Sequence, residues 1–341
     1  MTKQLISQEI NTKKSIQEMT NGKLSLACAI PELKEVETNL IKVISSNGST
    51  TSEIGNHLVL AGGKKLRPLL TILSGNCFNS CKKKLITAGT SIELIHLASL
   101  VHDDIIDKAS TRRGQASVNA KWGDKNAVLM GDFLFAKAFD LLSRAQLYQT
   151  LQLVVYCIQE MCDGEIEQDK FKYKSKQSLS DYYSRIRQKT ALLIAACCQT
   201  GAIIGEASLG EVQAFKEYGL NLGYAFQIVD DVLDFTSKEE VLGKPCGSDL
   251  AHGNLTLPVL LLLQDNRWGP WVAKQIEAKK LSGEVISKIH ELLHTTGTIN
   301  ASLARAIVHI NRAKASLTTL APSPYKGILE SMADMVVTRS Y

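Results

Sequence analysis

Residues 85–107 read LITAGTSIELIHLASLVHDDIID. Ile92, Ile95, Leu100 and Val101, with other apolar residues between them, give Leu85–Ile106 the pattern of a helix buried nearly all round. The stretch ends on Asp103-Asp104-Ile105-Ile106-Asp107, and a second segment of the same D-D-x-x-D form, Asp230-Asp231-Val232-Leu233-Asp234, also follows an apolar run. Asp is a poor helix former and is rarely buried unless paired or bound to metal. Two such triplets in apolar text therefore need a cause. In a helix, positions i and i+4 share a face about 6 Å apart along the axis. That puts Asp103 beside Asp107 and Asp230 beside Asp234. Two helices of this kind present claws of hard carboxylate oxygens, suited to Mg²⁺ that also holds substrate phosphates.

The rest of the chain is globular and helical in character. It has 341 residues, 45% of them hydrophobic, with 23 Gly and only 7 Pro to interrupt helices. A net charge of +5 is too small for a nucleic-acid binder that relies on bulk charge, and it leaves room for a local basic site. The polar N-terminus has no secretory signal, and no apolar run reaches the ~20 residues of a membrane span. The eight cysteines are scattered. Cys77 and Cys81 lack partners at zinc spacing and read as reduced thiols, consistent with a cytoplasmic location.

Helical text runs through Ala127–Leu142, Leu151–Glu167, Leu179–Ile204, Glu211–Phe235 and Leu255–Leu263. Breaks fall at Gly62-Gly63, around Arg112–Gly123, around Lys170–Gln177, at Gly243–Gly253 and around Pro322–Pro324. Alternating strand patterns are scarce. The spacing predicts an all-α chain: a polar tail over 1–24, then a single domain over 25–341 of about ten or more helices around a central apolar cavity.

Basic residues complete the pattern. Gly62-Gly63-Lys64-Lys65-Leu66-Arg67-Pro68 is a glycine turn opening a helix, and Lys64 and Arg67 can aim at one anion. Arg112-Arg113-Gly114 follows the first triplet after a short loop. His96 lies two turns before Asp103 on the same face, and His102 beside the triplet fits either packing or support of the ligands. Lys189-Thr190 sits in an apolar run, Gln227 precedes Asp230 by one turn, and Lys244 opens a glycine-rich loop. Together these describe two diphosphate sites, one held through Mg²⁺ by the aspartates and one held directly by Lys and Arg.

GGKKLRP, LIHLASLVHDDIIDKASTRRG, GDFLFAKAF, GEIEQ, RQKTALL, FQIVDDVLDF and LGKPCGSDLAHGNLTLPVL occur in this order. By them, residues 35–341 resemble the trans-isoprenyl (polyprenyl) diphosphate synthase family. Within it, ASLVHDDIID, AKW, GEIEQ, RIRQKTALLIAACCQTGA and GNLTLPVL look most similar to the catalytic large subunit (component 2) of heptaprenyl diphosphate synthases. The resemblance implies an isoprenoid synthase fold and a trans-prenyltransferase. It implies Asp103, Asp107 and Asp230 as principal Mg²⁺ ligands, supported by Asp104, Asp231 and Asp234, with on the order of three ions per active site. Arg112, Lys189 and Lys244 would hold an allylic diphosphate, with Thr190 and Gln227 lining its pocket. Lys64, Arg67, His96 and Arg113 would hold isopentenyl diphosphate. Asn254 stands where many short-chain members carry Lys and is left out of this set. Asp103, Asp107, Lys189 and Asp230 are the expected catalytic residues.

Product length is argued from the helix before Asp103. The growing chain should follow it, and one turn rises about 5.4 Å, close to one isoprene unit. Ala98 and Ser99 lie about one turn upstream and are small, so a product of about six to eight units (C30–C40) is expected. Heptaprenyl diphosphate for a menaquinone side chain fits, with an octaprenyl or solanesyl-type homodimer as the alternative. The expected assembly is a dimer, either of like chains or with a dissimilar small subunit, with peripheral membrane contact for product release. A terpene cyclase needs one diphosphate only, which leaves the basic clusters surplus. A non-catalytic prenyl-binding subunit should have lost a triplet or the basic residues, and both are complete here.

Overall fold

The computed structural model describes residues 30–45, 50–237 and 246–338. Among them the chain runs through α1 (Pro31–Ser45), α2 (Thr50–Leu60), α3 (Leu66–Asn76) and α4 (Lys82–Ile106). A small hairpin follows, β1 (Thr111–Arg112) and β2 (Gln115–Ala116), and then α5 (Val118–Trp122), α6 (Asp124–Arg144) and α7 (Tyr148–Phe171). Next come α8 (Leu179–Ile186), a π-helical turn (Arg187–Ala191), α9 (Leu192–Ile204) and α10 (Leu209–Thr236). The chain ends with α11 (Ser248–Ala251), α12 (Leu257–Leu262), α13 (Gly269–Glu277), α14 (Gly283–Thr295), α15 (Thr298–Ser316) and α16 (Pro324–Thr338). The all-α expectation holds, and the hairpin is the one departure toward β-structure among the described residues.

The residues fall into two compact units. The first gathers residues up to Val154, Ala196–Phe215 and Leu320–Leu329; the second gathers Val155–Ala195, Lys216–Thr319 and Glu330 onward. In the first unit α4 is the central element, packed against α6, α3 and α1. Leu85, Ala88, Ile92, Leu94, Ile95 and Ala98 are closed off from solvent, which accounts for its all-round apolar text. Among the described residues α4 alone is long and apolar enough to cross a membrane, yet 78% of its apolar window is buried, as in the core helix of a globular unit.

In the second unit α12, α14 and α15 pack on one another, and α8 meets α12. Gly219 and Gly223 on α10 let it approach its neighbours closely. A Cβ on Gly223 would lie 2.5 Å from the Ala191 Cα, and one on Gly219 2.5 Å from the Ala195 Cα. The expected continuous helix over Leu179–Ile204 is broken by the π-turn at Arg187–Ala191. Such a turn carries one residue more than an α-turn and is uncommon away from functional sites. Here it ends at the tight crossing with Gly223, and it carries Lys189 and Thr190.

Candidate active site

The first aspartate triplet closes α4. Asp107 is the C-cap, and its N–H donates to the Asp103 carbonyl at 2.8 Å, so the helix persists and Asp103 and Asp107 share its last face. Lys108 then turns left-handed at φ 50°. Its N–H reaches Ile105 O at 3.2 Å while Ala109 N–H reaches Asp104 O at 2.8 Å. This is a Schellman stop, with Lys where glycine is usual. Asp103 is half-buried and Asp107 exposed, whereas Asp104 is buried. The Asp104 carboxylate accepts from Arg112, whose Nε lies 2.8 Å away and whose Nη2 is closer still.

Arg112 sits on β1 and pairs with Gln115 across the hairpin. The two-residue turn is Arg113-Gly114, at φ 51° and 75°, the doubly positive geometry of tight hairpin turns. That turn carries Arg113 to the glycine motif fifty residues upstream, where its Nη1 donates to the Gly62 carbonyl. The guanidinium lies flat against Gly63, where a Cβ would stand 2.6 Å from it. Gly63 is therefore required twice, by its φ of 140° and by the arginine above it.

The two lysines of this motif part company. Lys64 is exposed, while Lys65, left-handed at φ 47° as the N-cap of α3, is buried and pairs with Glu93 of α4 at 3.2 Å. His96 is half-buried one turn beyond Glu93. Burial first, then the surrounding cations Arg67, Arg113, Lys65 and Arg112, keep its titration well below the ordinary 6.5. It stands as a neutral imidazole inside a cationic field, the electrostatic setting of an anion site. Below about pH 6.5 the unfolded chain binds a proton here that the folded chain refuses. This group's share of native stability is thus present above that pH and lost as pH falls. In urea melts of metal-free protein at about pH 7.5 and about pH 5, His96→Gln is expected to show a smaller acid loss than wild type. An equal loss in both would remove His96 as its source.

In the second unit the Asp230 triplet shares the half-buried first and buried second aspartate and differs at the third. Asp230 is half-buried, while Asp231 and Asp234 are buried. Asp231 accepts from Tyr182 Oη at 2.7 Å, from Gln227 Nε2 at 3.1 Å and from the Leu257 N–H at 3.4 Å. Burial, reinforced by Asp249, pushes its carboxyl up to about 7 in the metal-free state. Asp234 accepts from the Asp249 N–H at 3.3 Å. Both side chains thus anchor the start of α12 and the Gly247–Asp249 turn. Gln227 also receives a hydrogen bond from Thr190 Oγ1 at 2.9 Å, one turn from the Gly223–Ala191 crossing, so that crossing sets their spacing. Lys189 pairs with Glu165 and donates to Gln168 Oε1 at 3.0 Å. Gly164 beside them is another close crossing, 2.9 Å from Gln188 Cβ for a Cβ placed there.

The sequence placed GEIEQ in order without giving it a task. Glu165 and Gln168 hold the Lys189 ammonium, and the signal was a conspicuous acid–amide pair opposite a lone lysine. Glu93 carries a comparable signal, a lone charge in the apolar text of α4. His102 resolves to packing: its ring lies over Gly131, where a Cβ would be 2.1 Å from Nε2, and that nitrogen meets Val128 O at 3.2 Å. Ala98 is fully buried, and Ser99 keeps slight exposure while its Oγ donates to His96 O at 2.9 Å. Lys244 lies outside the described residues.

Among the described residues no three His, Cys, Asp or Glu side chains form a ready metal cage. The side chains open to solvent are carboxylates one helical turn apart. This donor set fits Mg²⁺, which keeps several waters and takes only a few carboxylates together with phosphate oxygens. Asp103 and Asp107 are so placed in the first unit, and in the second unit Asp230 is the half-buried member of its triplet.

The sequence profile of the polyprenyl synthetase family matches residues 49–293. Heptaprenyl diphosphate synthase component 2 of Bacillus subtilis is 38% identical over 312 residues, 91% of this chain and 88% of the relative. The crystal structure of heptaprenyl diphosphate synthase from Staphylococcus aureus superposes with a TM-score of 0.86 at 34% identity, covering 91% of this chain and 98% of that one. A polyprenyl synthase from Caulobacter crescentus, crystallised with calcium and isoprenyl diphosphate, gives a TM-score of 0.86 at 32% identity over 92% of this chain and 96% of that one. With its isoprenoid synthase fold and its ordered motifs, the chain belongs to the polyprenyl synthetase family and is a trans-prenyltransferase.

Proposed function

We propose that this enzyme condenses isopentenyl diphosphate with an allylic diphosphate, farnesyl diphosphate, and extends it to an all-trans chain of about C30–C40. The reading narrows this to heptaprenyl diphosphate for a menaquinone side chain. The observation that carries the reading is the cationic cluster of Lys65, Arg67, Arg112 and Arg113 around neutral His96, on the helix that ends in Asp103 and Asp107. A cluster of this kind is surplus for an enzyme with one metal-chelated diphosphate, and it suits a second diphosphate bound directly.

In this reading Lys64, Arg67, His96 and Arg113 grip isopentenyl diphosphate. Lys189, steadied by Glu165 and Gln168, holds the allylic diphosphate with Arg112, Thr190, Gln227 and Lys244. Arg112 gives two of its five N–H donors to Asp104, which leaves donors for phosphate. Asp103, Asp107 and Asp230 would hold Mg²⁺, which neutralises the charge developing on the leaving diphosphate. The allylic C–O bond breaks, the isopentenyl double bond attacks the cation, and a proton leaves to the departed diphosphate. The side chains position both substrates and exclude water that would trap the cation.

The component 2 name of the Bacillus relative supports a dissimilar small subunit as partner. Exposed Val128 and Leu129 on α6, 44% and 56% accessible, offer apolar surface for association. The test is product analysis with radiolabelled isopentenyl diphosphate and farnesyl diphosphate, with and without a candidate small subunit. Heptaprenyl product that requires the partner supports the reading. Robust octaprenyl or longer product from the chain alone favours a homodimeric synthase, and cyclic hydrocarbon without label overturns chain elongation. In the same assay Ser99→Phe is expected to shorten the product by at least about one isoprene unit, since one helical turn matches one unit.

A further inference from the structure

Outside the residues used above, the second unit carries a pair of imidazoles with no assigned task. His290 and His294 lie one turn apart on α14, and their Nε2 atoms are 3.3 Å apart. Their ring centroids are 4.8 Å apart, with the planes at 76°. A tetrahedral ion bonded to two imidazole nitrogens at about 2.0–2.1 Å sets those nitrogens about 3.3–3.4 Å apart. The two nitrogens already stand at that separation, one helical turn apart. It borders an open depression shared with Glu284, Ser287, Glu291 and Thr295, so water can reach the remaining coordination positions. His294 is exposed and His290 half-buried.

We propose that His290 and His294 chelate a borderline divalent transition metal of the Zn²⁺, Ni²⁺ or Cu²⁺ class. Imidazole nitrogen suits these ions, whereas Mg²⁺ takes oxygen, so the pair and the aspartates select different cations. No third His, Cys, Asp or Glu among the described residues completes the site. Water fills the shell, and the ion exchanges.

Occupancy has a local consequence. His290 Nε2 lies 2.7 Å from the Phe235 carbonyl, so in the metal-free protein it carries the proton and donates it there. Coordination needs the lone pair of that nitrogen. The Phe235 oxygen stands on the side of the ring that the ion would take, so the ring must swing off that carbonyl as well as move its proton to Nδ1; the carbonyl, one residue past Asp234, loses the imidazole donor and keeps the Cys246 thiol at 3.6 Å. The metal bond replaces a hydrogen bond that ties α14 to the end of α10.

Titration calorimetry of untagged full-length protein with NiCl₂, in excess MgCl₂ to occupy the oxygen sites, tests this. Wild type is expected to bind one Ni²⁺ per chain, and His294→Gln to weaken that binding at least about tenfold, or 1.4 kcal/mol. His252→Gln, an exposed histidine on another element, should bind as wild type does. The proposal is overturned if His294→Gln binds Ni²⁺ as tightly as wild type, if His252→Gln shows the same loss, or if wild type binds none.

Discussion

Replacing Asp103 by Ala is expected to lower kcat/KM about a thousandfold while the enzyme melts within a few degrees of wild type. A metal ion contributes several kcal/mol of charge stabilisation at the leaving oxygen, and about 4 kcal/mol corresponds to a factor of about a thousand. Asp103 is half-buried at the end of α4, so truncation leaves the helix stop to Lys108 and Ala109. Asp104 makes the informative contrast. Its carboxylate is engaged by Arg112, so Asp104→Asn should act through the position of Arg112 and raise KM along with any fall in kcat. Steady-state kinetics at saturating Mg²⁺ separates the two. Turnover within about threefold of wild type in Asp103→Ala, a barrier change under about 1 kcal/mol, would remove it from the metal claw.

The second large effect is on stability. Lys65 and Glu93 have side chains only 5% and 2% exposed. Lys65→Met leaves a carboxylate buried without its partner and is expected to cost about 3–5 kcal/mol. Lys65→Met with Glu93→Met should recover most of that, because a buried pair is often replaced by apolar side chains at little net cost. Methionine keeps the backbone comparison fair, since it meets the same left-handed φ as lysine at position 65. Urea unfolding of the single and double variants decides. A double variant as unstable as the single would mean that Glu93 draws its support elsewhere, with Arg113 the first candidate because it lies in the field of Glu93.

Much of the fold was written in α4 and α10, where long apolar runs ending in D-D-x-x-D define two helices and the chemistry at their ends. Spacing told which aspartates share a face. It could not tell which face is open, and so it could not show that Asp231 spends its oxygens on Tyr182, Gln227 and Leu257, or that one oxygen of Asp234 takes the Asp249 N–H. Nor does the pair Lys64-Lys65 reveal which lysine turns inward. That choice follows from the left-handed φ at Lys65 and from a glutamate nearly thirty residues away. The π-turn was invisible for a similar reason: RQKTA reads as ordinary helix, and only the Gly223 crossing and the Lys189 contacts give the extra residue a role. The arginine hairpin read as a break because two residues per strand are too few for an alternation pattern.

Arg113 is folded down over the Gly62-Gly63 turn before any ligand arrives. A freely rotating arginine carries about 2 kcal/mol of rotamer entropy, and here most of that is surrendered once, when the chain folds. In the proposed elongation the lengthened product carries the diphosphate that arrived with isopentenyl diphosphate, so at each step it must vacate this corner before a fresh small diphosphate is captured. An arginine that had to be immobilised anew would tax every one of those captures. Under the proposed function, preorganisation at this corner would act as a multiplier across the whole elongation, and its loss should show most in the last, longest products.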